Sequence, residues 1–192
     1  NRQTDRETFQ EVDYRAMFGG LAKWVAQVDH TERLPEYISR AFRVAMSGRP
    51  GPVVLALPED MLTAMSDAAP CKTVSIPEAA PAPDAIKALK AALDKAKRPL
   101  IITGGGGWRD HGCRDLQAFA EANSIPVLAA FRFHDRFDNM SDVYAGDAGV
   151  GMFAQTKKLI TDADLIIAVN VRFGEMTTDA WSLLDVPNPK QR

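Results

Sequence analysis

Residues 99–110 read Pro-Leu-Ile-Ile-Thr-Gly-Gly-Gly-Gly-Trp-Arg-Asp, and this stretch indicates the fold more clearly than any other. The apolar run from Leu100 to Thr103 predicts a short strand, which leads directly into four glycines. A helix is predicted over Cys113 to Asn123, with its inward residues at helical spacing: Leu116, Phe119 and Ala120. A strand, a glycine loop and a helix in this order begin a β-α-β unit.

Downstream and upstream of this stretch, apolar strands continue to alternate with amphipathic helices. A helix is predicted from Asp84, its N-cap, to just before Pro99, with four apolar residues on one face: Ile86, Leu89, Leu93 and Ala96. After the glycine run and its helix, the predicted elements are a strand Ile125–Ala130, a helix Phe153–Ile160 and a strand Leu165–Val171. This alternation predicts an α/β fold with a parallel sheet, in which the strand before the glycines is central.

The N-terminal third contains a separate piece of α/β structure. Residues 1–33 show no clear period, whereas an amphipathic helix is predicted from Leu34, with Gly48 placed to end it. Val53 to Leu57 follows as a strand expected to be buried on both faces. Prolines and small residues then indicate a linker, so we predict domains at 1–63 and 85–192 joined by residues 64–84.

Composition excludes several classes of function. The chain has 192 residues, a formal net charge of -2 and no clustered basic face, which argues against a nucleic-acid partner. Its apolar runs are far shorter than the roughly 20 residues needed to span a bilayer. Cys71 and Cys113 form no paired motif, so a reducing cytoplasm is expected, although a disulfide between them stays open.

The glycine run is the strongest candidate for a ligand site. Backbone N–H groups beside a helix N-terminus can bind a phosphate. A tight turn that requires positive φ is an equally good interpretation. The dinucleotide fingerprint requires a third glycine at its sixth position, and counting from Gly104 that position is Arg109, so the pattern for NAD is weak.

No metal site is predicted from the sequence. Gly146-Asp147-Ala148 with Asn170 imitates a Mg²⁺ motif, but Asn170 is expected inside a buried strand, and we interpret the pattern as coincidence. The histidines are scattered. Four acidic residues are interpreted as a solvated loop: Asp135, Asp138, Asp142 and Asp147.

Several motifs resemble those of acetolactate synthase and related thiamine-diphosphate-dependent enzymes. The matching segments are Phe9-Gln10-Glu11, Lys23, Ser47-Gly48-Arg49-Pro50-Gly51-Pro52-Val53, Leu57-Pro58-Glu59-Asp60, the glycine run, Ile125-Pro126-Val127, Asp164-Leu165-Ile166-Ile167-Ala168 and Arg172-Phe173. The resemblance covers nearly the whole chain. It implies the end of a pyrimidine-binding domain followed by a Rossmann-like central domain of the deoxyhypusine-synthase-like NAD/FAD-binding type.

For the intact enzyme, the resemblance implies thiamine diphosphate, Mg²⁺ and a 2-keto acid that is decarboxylated and joined to an acceptor. It also implies a homodimer or homotetramer. Because the activating Glu and the metal motif of the family lie outside residues 1–192, we expect segments on both sides and no catalysis by this chain alone.

The resemblance also assigns roles to individual residues. Four match positions that line the substrate approach, namely Arg2, Phe9, Gln10 and Lys23. Others match positions that contact FAD, namely Arg49, Gly104, Gly105, Gly106 and Arg172. A solvated Arg2, a packed Phe9 and an Arg49 paired with a nearby acid are the alternatives.

Departures from the family pattern argue against flavin binding and against acetolactate synthesis itself. Gly149-Val150-Gly151 stands near the position of a His-Gly-Thr motif, Gly174-Glu175-Met176 replaces Asp-Asp-Arg, and Glu59 replaces Lys. A less characterised branch of the family fits these changes better. The competing hypotheses are a stand-alone ADP- or FAD-binding module and a structural spacer with a vestigial pocket.

Overall fold

The computed structural model describes residues 3–77 and 79–192, and the chain forms two compact units, one ending at Ala79 and the other beginning at Ala80. Its helices are α1 (Tyr14–Phe18), α2 (Leu34–Met46), α3 (Glu59–Thr63), α4 (Pro83–Leu93), α5 (Asp110–Ala122), α6 (Ala154–Asp162) and α7 (Glu175–Thr178). Its strands are β1 (Trp24–Gln27), β2 (Val53–Ala56), β3 (Pro99–Thr103), β4 (Val127–Ala130), β5 (Tyr144–Ala148) and β6 (Leu165–Val169). Across the described residues, none of these helices combines the length and apolarity that crossing a bilayer requires.

The first unit is built on a two-stranded parallel sheet. β1 pairs with β2 in parallel, with Trp24 opposite Val53 and Gln27 opposite Ala56. The predicted helix is confirmed as α2, with Pro35 in its first turn, and it lies between β1 and β2 in the chain. The segment before residue 34 contains α1 and β1, which the sequence pattern did not reveal.

Strand β2 is confirmed as a strand, but the expectation that both its faces are buried is wrong. Val53 to Leu55 are only half-buried, and Ala56 alone is buried. In this unit β2 pairs only with β1, and a sheet of two strands cannot cover the apolar side chains of either strand completely.

The second unit contains a four-stranded parallel sheet in the order β5-β4-β3-β6. Ile101 of β3 lies opposite Val127 of β4 on one side and opposite Ile167 of β6 on the other. The predicted parallel α/β sheet with β3 in a central position is therefore confirmed.

Side chains alternate across β3 into two separate hydrophobic clusters. Leu100 and Ile102 pack with Leu128 and Ile160 on one face, whereas Ile101 packs with a second group that includes Ala120 on the other. Because successive side chains of a strand point to opposite faces, a continuous apolar run has to be covered on both sides. β3 is accordingly almost completely buried.

Two predicted helices differ from expectation in detail. Helix α4 begins at Pro83 with Ala82 as its N-cap, so Asp84 lies in the first turn and not at the cap. Helix α5 begins three residues earlier than expected, at Asp110. Phe119 was predicted to point inward, yet it remains 38% exposed, while Ala120 on the neighbouring helix position is fully buried.

The acidic segment after β4 is more ordered than the sequence suggested. Asp135, Asp138 and Asp142 are exposed, in agreement with a solvated loop. Asp147 is different, because it lies in β5 and pairs with Ala129 of β4. The interpretation of Asp147 as a loop residue is therefore wrong.

Candidate functional site

The carboxyl ends of β3 and β6 form the most distinctive edge of the second unit. The chain leaves β3 through the glycines and returns in β4 on one side, whereas β6 lies on the other side of β3. Such a reversal of strand order is a topological switch point, and parallel sheets bind ligands in the crevice outside it. The loop of Gly104 to Gly107 and the residues after β6 line this crevice.

Gly104 and Gly105 are required by close packing. A Cβ at Gly104 would lie 3.0 Å from the Cβ of Ala130 and 3.2 Å from Cγ2 of Val171. At Gly105, where φ is +70°, a Cβ would lie 2.1 Å from the carbonyl oxygen of Asn170. The structural interpretation of the glycine run thus holds for Gly104 through close packing, for Gly105 through packing and a positive φ, and for Gly107 through its φ of +80°.

Gly106 and Gly107 face open space instead. No heavy atom lies within 4 Å of a Cβ built at either position. Within the described residues, the N–H groups of Gly105, Gly106 and Gly107 donate to no protein acceptor, although the N–H of Gly104 donates to the Val169 carbonyl at 3.1 Å. Unused donors beside the start of α5 are suited to bind an anion.

Asn170 lies next to this loop and not inside a strand as predicted. β6 ends at Val169, and Asn170 adopts a left-handed backbone conformation with φ of 54°. Its Nδ2 donates to the Gly106 carbonyl at 2.6 Å. The sequence pattern missed this contact because the apolar run continues to Val171.

The two arginines assigned to cofactor binding are placed differently. Arg172 is exposed and follows Asn170 at the same edge of the sheet as the glycine loop. Arg49 belongs to the first unit, where it is exposed and its carbonyl oxygen accepts a hydrogen bond from Lys23. In the second unit, the residues that the resemblance assigned to FAD contact therefore lie at one edge of the sheet: Gly104 to Gly106 and Arg172.

The described residues that the resemblance assigned to the substrate approach lie in the first unit. Phe9 and Gln10 line a cavity of about 650 Å³ together with the end of β2 and helix α3. Phe9 is 90% exposed, so the alternative of a packed Phe9 is wrong. Arg2, assigned to the same approach, lies outside the described residues.

Glu11 fixes the loop that carries Phe9 and Gln10. Its carboxylate accepts the N–H of Asp5 at 2.7 Å and the N–H of Thr8 at 3.2 Å. These hydrogen bonds lower the pKa of Glu11 below its ordinary value.

Lys23 is not among the residues that line that cavity, and its amine forms hydrogen bonds elsewhere. Nζ donates to the carbonyl of Ser47 at 2.6 Å and to that of Arg49 at 3.0 Å. The stem of Lys23 also lies against Gly51, where a Cβ would come within 3.1 Å of Cδ. Lys23 thus holds the turn after α2, a role that no sequence pattern indicated.

Asp147 and Asn170 cannot share a cation. Asp147 lies on β5 and Asn170 follows β6, the two outer strands, and three strand spacings of about 4.8 Å separate these strands. Asp147 instead lies near His134, with Oδ1 3.9 Å from Nε2. Burial, and secondarily the charge of Asp147, raise the pKa of Tyr144.

The described residues contain no cluster of three or more His, Cys, Asp or Glu side chains arranged to hold a metal. Cys71 is exposed and Cys113 is half-buried, and both thiols are free. The loop thus offers backbone N–H groups as hydrogen-bond donors, and Arg172 follows at the same edge of the sheet.

The four-stranded parallel sheet and its connecting helices define an α/β domain with a Rossmann-like fold. Residues 86–191 match the family model described as thiamine pyrophosphate enzyme, central domain, and the chain belongs to this family. This match confirms the resemblance that the motifs indicated.

Individual relatives support the same assignment over a longer stretch. The chain is 28% identical to the acetolactate synthase large subunit of Corynebacterium glutamicum, over 90% of this chain and 28% of that protein. It is 30% identical to acetolactate synthase isozyme 1 large subunit of Escherichia coli, over 88% of this chain and 30% of that protein. It is 28% identical to sulfoacetaldehyde acetyltransferase of Rhodobacter capsulatus, over 93% of this chain and 30% of that protein. The chain spans about three tenths of the length of these relatives.

Proposed function

We propose that this chain is the central domain, with the end of the pyrimidine-binding domain, of a thiamine-diphosphate- and Mg²⁺-dependent enzyme that decarboxylates a 2-keto acid and joins the product to an acceptor. The observation that carries the proposal is the family match over residues 86–191. Similarity to acetolactate synthases across about nine tenths of the chain supports the reaction class.

In this proposal the chain itself is not catalytic. When bound in the whole protein, thiamine diphosphate supplies the electron sink for decarboxylation. The described residues offer no acidic cluster for the Mg²⁺ that would hold its diphosphate. The contribution of this chain is to shape the substrate approach around Phe9 and Gln10 and to hold a phosphate group at Gly104 to Gly107.

The glycine loop fits a phosphate group on physical grounds. Three unused N–H groups lie beside the N-terminus of α5, and open space surrounds Gly106 and Gly107. Arg172 adds a positive charge at the same edge. A nucleotide such as ADP would place its diphosphate there.

The reaction is tested on the whole protein to which this chain belongs. Purified with thiamine diphosphate and Mg²⁺, it is expected to release CO₂ from pyruvate, and omission of either cofactor should abolish the release. NMR of the products should show a carboligation product. If none of a panel of 2-keto acids is consumed under these conditions, the proposed reaction class is wrong.

A second candidate function is a nucleotide-binding module, which the free N–H groups of the loop favour.

The departures at Gly174-Glu175-Met176 argue that tight flavin binding has been lost. An anion at one exposed helix N-terminus contributes only about 0.3 to 1 kcal/mol, far below the roughly 8 kcal/mol of a micromolar complex.

We therefore expect the 192-residue chain to purify colourless and to show no micromolar FAD affinity in a fluorescence titration. Free flavin without protein is the control. A yellow protein that retains FAD through gel filtration would make the flavin-bearing assignment the better one.

A further inference from the structure

The glycine loop is held by two side chains that no sequence motif assigned to it. The indole Nε1 of Trp108 donates to the Gly104 carbonyl at 2.7 Å. The amide Nδ2 of Asn170 donates to the Gly106 carbonyl at 2.6 Å. One contact thus fixes the carbonyl of the first glycine, and the other fixes the carbonyl of the third.

Fixing a carbonyl also fixes an N–H group, because the peptide unit is planar and trans. The Gly104 carbonyl shares its peptide plane with the N–H of Gly105, so the hydrogen bond from Trp108 turns that N–H to the opposite side. By the same argument, Asn170 turns the N–H of Gly107 away from itself. These are two of the three N–H groups that donate to no acceptor among the described residues.

Both side chains are themselves well placed for this task. The ring of Trp108 lies along the first turn of α5, where a Cβ on Gly112 would lie 3.6 Å from it. Asn170 occupies a left-handed conformation that Asn tolerates better than most residues. Its backbone oxygen also closes the space above Gly105, which leaves that residue no room for a side chain.

We infer that Trp108 and Asn170 are positioning residues that pre-form the glycine loop as a phosphate-binding site, an inference that rests on the phosphate role proposed above. Without them the four glycines would sample many backbone conformations, since glycine is the least restricted residue. With them the N–H groups are already oriented before an anion arrives, and less entropy is lost on binding.

The test uses two variants that remove only the donors. Trp108→Phe keeps a ring beside Gly112 but lacks the indole N–H. Asn170→Gly lacks the amide and keeps the left-handed backbone accessible. The matched controls are Trp181→Phe and Asn139→Gly, which lie outside the loop; Asn139 Nδ2 also donates to a backbone carbonyl, that of His134 at 3.3 Å.

The first readout is the heteronuclear NOE of the Gly105, Gly106 and Gly107 amides in the ¹⁵N-labelled chain. We expect values equal to those of β3 in the parent chain and in both controls, and clearly lower values in Trp108→Phe and Asn170→Gly. The urea midpoint should remain near that of the parent, since β3 and α5 are unchanged. A loop that stays as rigid in both donor variants as in the parent would overturn the inference.

The second readout is a titration with inorganic pyrophosphate, followed by the same glycine amide shifts. The donor variants should bind about tenfold more weakly than the parent, because their glycine N–H groups have to be ordered when the anion binds. Unchanged affinity in both variants would also contradict the inference. If the parent chain does not bind pyrophosphate at all, the proposed phosphate role fails, and the relaxation data alone decide whether the two residues hold the loop.

Discussion

At the scale of single residues, the glycine run contains members with opposite requirements. Gly105 has a positive φ and a Cβ position occupied by the Asn170 carbonyl, whereas Gly106 has open space around it. The four consecutive glycines thus include one position that is fixed by packing and another that is open to a ligand. Only the packing of β6 against β3 reveals which is which.

Gly105→Ala is expected to lower the free energy of unfolding by about 2 kcal/mol or more, because a side chain there meets a backbone oxygen and a left-handed backbone. Gly106→Ala is the matched control and should change it by less than about 0.5 kcal/mol. Urea denaturation followed by tryptophan fluorescence measures both. Equal effects of the two substitutions would contradict the described loop.

Lys23 shows how a residue assigned to substrate contact can have a structural role. Its amine donates to two carbonyl oxygens in the turn that follows α2. The family resemblance suggested Lys23 through its position. No local pattern could indicate that its amine donates to Ser47 and Arg49, which follow it by 24 and 26 positions in the chain.

Lys23→Met should therefore destabilise the chain by about 1 kcal/mol, the usual worth of hydrogen bonds that remain partly hydrated. Lys87→Met is the control, since the Lys87 pair with Asp84 is highly exposed and surface ion pairs contribute little. Chemical denaturation of both variants provides the comparison. A Lys23→Met variant as stable as Lys87→Met would show that the turn does not depend on this amine.

At the scale of elements, one carboxylate ties the beginning of β6 to the beginning of β3. Asp164 accepts the N–H of Lys97 at 2.8 Å and the N–H of Arg98 at 2.9 Å. These two backbone donors are the main reason that the pKa of Asp164 lies below its ordinary value of 3.8. A carboxylate in this position joins two strands that are distant in sequence.

A lowered pKa in the folded state gives the sign of the pH dependence. The stabilisation by Asp164 is fully present above the pKa of the unfolded chain and is lost as pH falls through the lower pKa of the folded chain. Asp164→Asn should accordingly be less stable than the parent at neutral pH, with a difference that shrinks below about pH 3.8. Urea titrations of the two proteins from pH 7 to pH 2 measure this; a difference independent of pH would contradict the described contacts.

The elements that the sequence predicted are those with an uninterrupted apolar period. β3, β4, β6 and the intervening helices follow from such runs, and so does the parallel sheet. β5 was missed because Gly146 and Asp147 interrupt its apolar pattern, while its position is fixed by pairing with β4. β1 was missed because polar residues, Lys23 and Gln27, flank and interrupt its apolar residues, so that no apolar run like that of β2 stands out.

The candidate site was predicted less completely than the fold. The glycine run was identified, because strand, glycines and helix are contiguous in sequence. Asn170 and Trp108 were not assigned to it, since their contacts depend on the end of β6 and on the first turn of α5. Contacts between segments 64 residues apart cannot be inferred from local periodicity.

At the scale of the whole molecule, the chain combines two units whose sheets and apolar cores differ in size. The second has a four-stranded sheet with an apolar cluster on each face, whereas the first has two strands and few buried side chains. The chain also spans about three tenths of the relatives that it matches. The unit with the larger sheet is the one that contains residues 86–191, which match the thiamine pyrophosphate enzyme central domain.

The most direct test of this account is calorimetric titration of the 192-residue chain with thiamine diphosphate in the presence of Mg²⁺. Under the proposed function this chain does not contain the residues that hold the two groups, so no binding of micromolar affinity is expected. Tight, Mg²⁺-dependent binding that is lost in Asp147→Ala would contradict it, because Asp147 would then be a metal ligand and this chain would contain the cofactor site itself.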